Sequence, residues 1–156
     1  MARLKTDSLI LISLCACLAV SCRTVRDAPA AAIRMFDTVR TSGYQVRIRT
    51  EQAEVTGILI VKYMDGEWRG SLMNEFGLKA FDIVASEKKC RLQHVVPFLD
   101  KWYIRRTLER DFIYLFRDAP KGKTVKNKRL MQTGEGAFVL KNEARRIEYS
   151  FRTFAL

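Results

Sequence analysis

Histidine occurs once in this 156-residue chain, at position 94, and cysteine four times. Protein metal sites ordinarily take three or four clustered ligands. The body of the chain offers only Cys90 and His94 as soft ligands. Nor can these two act as a nucleophile and its base. Four residues apart along a strand they stand about 13 Å from each other, too far for proton transfer. Glycine loops of the GxxxxGK type and a GxSxG elbow are both missing. The carboxylates Glu75, Asp82, Asp100, Glu109 and Asp111 are scattered, with no spacing that sets two across a cleft. The expectation is a protein without catalysis, metal or cofactor. No internal repeat divides the chain, and its length suits one domain once a leader is set aside.

The cysteines sort by position. Cys15, Cys17 and Cys22 lie in or at the end of an N-terminal leader, and Cys90 stands alone in the body. An intrachain disulfide has no second partner if Cys22 is acylated. Cys90 then reads as a small buried apolar residue. Arg3 and Lys5 give the leader a positive start, and an uncharged run from Ser8 to Ser21 follows. That run is shorter than the roughly 20 residues of a bilayer span and suits a signal peptide. It closes on Leu18-Ala19-Val20-Ser21-Cys22. This resembles a bacterial lipobox, with Cys22 as the lipid-bearing residue. Cys17 is a rival position, and an uncleaved anchor is the plain alternative. The expected organisation is residues 1–21 as lipoprotein signal peptide, 22–30 as lipidated tether and 31–156 as one α+β domain. Arg23 follows the cysteine, where aspartate would retain a bacterial lipoprotein at the inner membrane. Its absence points to the outer membrane, facing the periplasm, with the inner membrane as the alternative.

Charge is lopsided, at a formal +11. Anionic partners are therefore expected: phospholipid headgroups, lipopolysaccharide, nucleic acid or an acidic protein, with a domain that is simply basic as the plain alternative. Nucleic acid is disfavoured by the exported compartment. Between 117 and 129 six basic residues face one acidic residue, Asp118. Lys121, Lys123, Lys126, Lys128 and Arg129 are the candidate anionic-headgroup contacts; the alternative is a solvated loop.

Periodicity supplies the rest. Ala32, Met35, Phe36 and Val39 fall on one face of a helix capped by Asp27, with Pro29 in its first turn and Ser42-Gly43 at its end. Period two then takes over. Strands are expected at 44–49, 55–63, 68–73, 79–85 and 90–95, with Asp65-Gly66 as a hairpin turn. The 55–63 strand is apolar enough to be buried on both faces. Asp100 can cap a second helix running to about Phe116, with Ile104, Leu108, Phe112 and Leu115 as its apolar stripe. Strands at 129–133, 136–140 and 145–152 complete the pattern. The fold class is α+β: a curved antiparallel sheet, an unclosed half-barrel, wrapped over one or two helices.

Lipoprotein signal, helix, meander, helix and second meander together resemble the LolA/LolB-like envelope lipoprotein carriers and receptors. The stretches that carry the resemblance are Gly57-Ile58-Leu59-Ile60-Val61-Lys62, Gly70-Ser71-Leu72-Met73-Asn74-Glu75-Phe76-Gly77, and the helix from Asp100 to Phe116. The resemblance implies no catalysis and an apolar concave face that receives lipid or an acylated protein, in lipoprotein localisation. Candidate groove residues are Ile58, Ile60, Trp68, Leu72, Phe81, Ile83, Trp102 and Leu108. The competing expectations are a filled core, and a structural or adaptor lipoprotein docking an envelope protein through its basic face.

Overall fold

A computed structural model describes residues 32–36, 38–120 and 124–154. The order is β1 (Ala32–Ile33), β2 (Ser42–Arg49), β3 (Glu54–Met64), β4 (Glu67–Met73), β5 (Lys79–Ala85), β6 (Cys90–Gln93), α1 (Trp102–Phe112), β7 (Ala119–Pro120), β8 (Thr124–Val125), β9 (Lys128–Gly134), β10 (Ala137–Asn142) and β11 (Ile147–Phe154). Nine strands form one antiparallel sheet in the order β6-β5-β4-β3-β2-β11-β10-β9-β8. Two meanders are joined where the last strand returns beside β2, with Phe151 opposite Val46. The sheet is curved and not closed into a barrel, and one helix among the described residues packs against it.

The alternation of each strand sets the two faces of the sheet. Tyr44 and Val46, Leu59 and Val61, Phe81 and Ile83, Tyr149 and Phe151 all point to the concave side and are buried. Phe112 of the helix meets Phe81 and Tyr149, at ring-centre distances of 5.9 and 5.6 Å. Asp65 and Gly66 both take positive φ, as a two-residue hairpin turn with right-handed strand twist requires.

Three expectations need correction. Residues 32–36 and 38–40 are not helical; Asp27 and Pro29 lie outside the described residues. Ile33, Met35 and Phe36 are buried along an irregular stretch, whereas Val39 is exposed. The stretch is tied down by tertiary contacts: Tyr44 donates a 2.7 Å bond to the Met35 carbonyl, and Phe36 stacks on Phe116 at 4.7 Å. A short amphipathic helix is marginal alone, so such contacts decide the conformation. Ser42 and Gly43 open β2 instead of ending a helix. Second, β3 is not buried on both faces, because Ile58 and Ile60 on its outer side are only half covered. Third, the helix is shorter than expected. Lys101 stands at its N-cap without a side-chain cap bond, and Asp100 is paired with Arg105 at 3.0 Å.

Candidate functional site: an apolar cavity between helix and sheet

Where β4 meets β5 the register slips, so that Leu72 faces Phe81 while Met73 faces Lys79. Ala80 is the extra residue of this bulge, and bulges bend a strand away from its neighbours. The Ala80 carbonyl accepts a 2.9 Å bond from the Val96 amide. That bond ties the loop before the helix to the bent end of the sheet. Beneath the loop a cavity of about 850 Å³ opens between the helix and the sheet.

Its walls come from several elements. Ile48 and Val55 line one side, Leu72, Ala80 and Phe81 the floor, and Ile147 and Tyr149 the far side. Val96, Phe98 and Leu99 of the loop, with Tyr103, Ile104, Thr107 and Leu108 of the helix, form the roof. Apolar surface predominates, and the volume lies in the range of small-molecule and cofactor pockets. Phe98 and Leu78, both lining residues, are about 70% exposed at 71% and 68%. Phe76, in the same β4–β5 turn as Leu78, is 80% exposed. The turn itself is held by Asn74, whose Oδ1 accepts from the Phe76 and Leu78 amides at 3.0 and 2.9 Å.

The structure distributes the eight candidate groove residues over four places. Leu72, Phe81 and Leu108 line the cavity. Trp68 and Ile83 are buried in the core away from it, with Trp68 against Tyr63 and Phe116. Ile58 and Ile60 alternate with the concave-facing Leu59 and Val61, and therefore stand on the outer face. Trp102 is 74% exposed, over a shallow depression that it shares with Asp100, Arg105, Arg106 and Glu109. Periodicity gives no mark to Val96, Phe98, Leu99 and Thr107 of the roof, and it marks Ile147 and Tyr149 of the far wall only as the apolar face of a strand. A loop residue has no period to betray it, and β11 alternates correctly but gives no sign of what it faces.

Beside the cavity lies a buried polar cluster. Asp111, 1% exposed, accepts 2.9 Å bonds from Asn142 Nδ2 at both oxygens and a 2.7 Å bond from the Tyr149 hydroxyl. Lys128 Nζ sits 3.4 Å away. Burial, with the Asp111 charge beside it, raises the Tyr149 phenol above its ordinary range. The sequence did carry a signal for Asp111: helical spacing puts it on the apolar stripe with Leu108 and Phe112. Of the five candidate headgroup contacts, Lys128 is thus engaged internally. Arg129 pairs with Glu143 at 3.2 Å, Lys126 is exposed in a turn, and Lys121 and Lys123 lie outside the described residues. Cys22 lies outside them as well.

A second cluster is on the outer face. Ser71 Oγ donates to Asp82 Oδ1 at 2.5 Å, while His94 Nδ1 meets Asp82 Oδ2 at 2.7 Å and Lys79 Nζ the same oxygen at 3.0 Å. Burial pushes the Asp82 carboxyl up, but these hydrogen bonds and the lysine charge outweigh it, leaving it below its ordinary value. The carboxylate lies between serine and imidazole, so the serine–imidazole bond of a nucleophilic triad is not formed. His94 turns out of β6 at a positive φ. Cys90 is buried, and burial together with the nearby Glu109 pushes its thiol up to about 12. Among the described residues no helix is long and apolar enough to cross a membrane. No family model matches the chain, and no curated protein is similar to it in sequence.

Proposed function

We propose that this chain is a membrane-anchored, periplasm-facing lipoprotein that holds an acyl chain, of a lipid or an acylated protein, between its helix and its curved sheet. The observation that carries this reading is the apolar cavity of about 850 Å³ with exposed apolar side chains at its mouth. Burying a methylene contributes about 0.8 kcal/mol, so an acyl chain has ample driving force to enter. The lipobox-like Leu18-Ala19-Val20-Ser21-Cys22 supports anchoring by lipid on Cys22, and Arg23 supports the outer membrane. The layout resemblance to LolA/LolB-like carriers points the same way, towards lipoprotein localisation. Binding of this kind requires no reaction step and no cofactor.

The test is displacement of a neutral apolar fluorophore by acyl ligands. Saturable displacement is expected in the parent protein and loss of it in Ala80→Trp, which places an indole in the cavity. Equal displacement in both proteins would refute the assignment of the cavity.

A second reading is favoured by one observation. On the outer face Lys62 stands opposite Arg69, and Arg69 is followed by Val84 and Arg91 in the same row. Like charges directly opposite each other are destabilising. An acidic envelope protein docking there would relieve that repulsion. Its mark would be a stoichiometric partner lost on Arg69→Glu while acyl binding is unchanged.

A further inference from the structure

Three charged side chains line the cavity: Glu51, Lys79 and Arg145. Two of them are already neutralised within the protein. Glu51 pairs with Arg146, and Lys79 with Asp82 at 3.0 Å. Arg145 forms no ion pair within 4.0 Å among the described residues. It sits in the turn between β10 and β11, whose backbone is held by its own amide donating to Asn142 Oδ1 at 3.2 Å. The guanidinium is therefore presented by a fixed backbone; its charge reaches the Tyr149 phenol beside Asp111, but among the described residues no carboxylate lies within ion-pair distance of it.

The polar groups around it point the same way. Thr50 Oγ1 is taken up by the Ala53 backbone, Asn74 Oδ1 by Phe76 and Leu78, Thr107 by the Tyr103 carbonyl, and the Tyr149 hydroxyl by Asp111. These four lining side chains already have partners, so they ask little of a ligand except apolar contact. Gln52, Thr56 and Tyr103 add uncharged polar groups to the lining, but of the charged lining residues Arg145 alone has no ion-pair partner among the described residues, and it is a planar donor fork suited to carboxylate or phosphate oxygens.

We infer that the cavity takes an amphiphile with an anionic head, its acyl chain lying under the helix and its head held by Arg145. This rests on the acyl-binding reading above and adds the chemistry of the head. Glu51 and Lys79, each held by its own partner, leave the head group to the guanidinium.

The test uses the full chain carrying Cys22→Ser, which removes the acyl acceptor so that no covalent lipid competes. Displacement of neutral N-phenyl-1-naphthylamine is measured with hexadecanoate, with a single-chain lysophosphatidate and with methyl hexadecanoate. The charged ligands are expected to bind roughly tenfold more tightly than the neutral ester, the scale of one charge-assisted contact. Arg145→Gln should erase that preference and leave the ester unchanged. Arg152→Gln, an equal loss of charge on the outer face, should keep it. An Arg145-dependent gain confined to hexadecanoate assigns a carboxylate head, and one confined to lysophosphatidate a phosphate head. Tight ester binding with no preference for charge, or a preference that survives Arg145→Gln, would overturn the head assignment alone. Failure of all three ligands would overturn it together with the acyl-binding reading.

Discussion

Asp111 is a charge held inside the fold by three side chains from two strands and a strand start. Asn142, Tyr149 and Lys128 come from β10, β11 and β9, and Asp111 itself from the helix. Removing one member of such a cluster strands the others, a larger effect than the bonds themselves. Asp111→Ala is expected to lower stability by about 3 kcal/mol, and Tyr149→Phe by about 1–2 kcal/mol, in urea titrations. The two should be less than additive, because they share one contact. Additive losses would mean that the cluster does not act as a unit. Cys90 gives a pH prediction. Its thiol is raised from 9.0 to about 12 in the fold. Between these values the unfolded chain loses the proton first, so stability is full below pH 9 and falls as pH rises. Tyr149, raised from 10.0, acts in the same direction at higher pH. Urea midpoints from pH 8 to 11 should therefore decline, and less steeply in Cys90→Ala. An equal slope in both proteins would remove Cys90 from the account.

At the scale of elements, the edge strand β6 is closed by the helix. Glu109 accepts from the Leu92 amide at 3.0 Å, and Arg105 donates to the Leu92 carbonyl at 2.9 Å. An open edge is a template for pairing between molecules. The double change Glu109→Ala and Arg105→Ala should cost about 2 kcal/mol and produce concentration-dependent association, seen by light scattering after gel filtration. A monodisperse double variant would contradict this role. Most of the strands were legible because they alternate. Tyr44-Val46-Ile48 and Ile147-Tyr149-Phe151 could face only one core, and Asp65-Gly66 could make only a tight turn. The stretch before β2 misled because Ala32, Met35, Phe36 and Val39 fit a helical face, while Tyr44 and Phe116 hold it in another conformation. Ile58 and Ile60 misled for a related reason. An all-apolar strand shows no phase, so its cavity-facing set could not be read from the sequence.

For the molecule as a whole, a curved open sheet over one or two helices could be read from element order, and the structure has one helix among the described residues, but the space between helix and sheet could not be read. That space depends on the bulge at Ala80 and on the Val96–Ala80 bond that hangs the loop over it. Neither leaves a periodic trace, and Leu72, Phe81 and Leu108 were the only groove residues placed on it. Filling the cavity from within should stabilise the fold while abolishing uptake. Ala80→Trp is therefore expected to reduce ligand binding at least tenfold without a lower unfolding midpoint.

Native mass spectrometry of the exported Cys22→Ser chain tests the central claim most directly. The account predicts a retained adduct of fatty-acid or phospholipid mass, absent from Ala80→Trp and weakened in Arg145→Gln. A clean apo mass, unshifted after incubation with hexadecanoate and lysophosphatidate, would contradict the account and leave the outer basic row of Lys62, Arg69 and Arg91 as the surface to pursue.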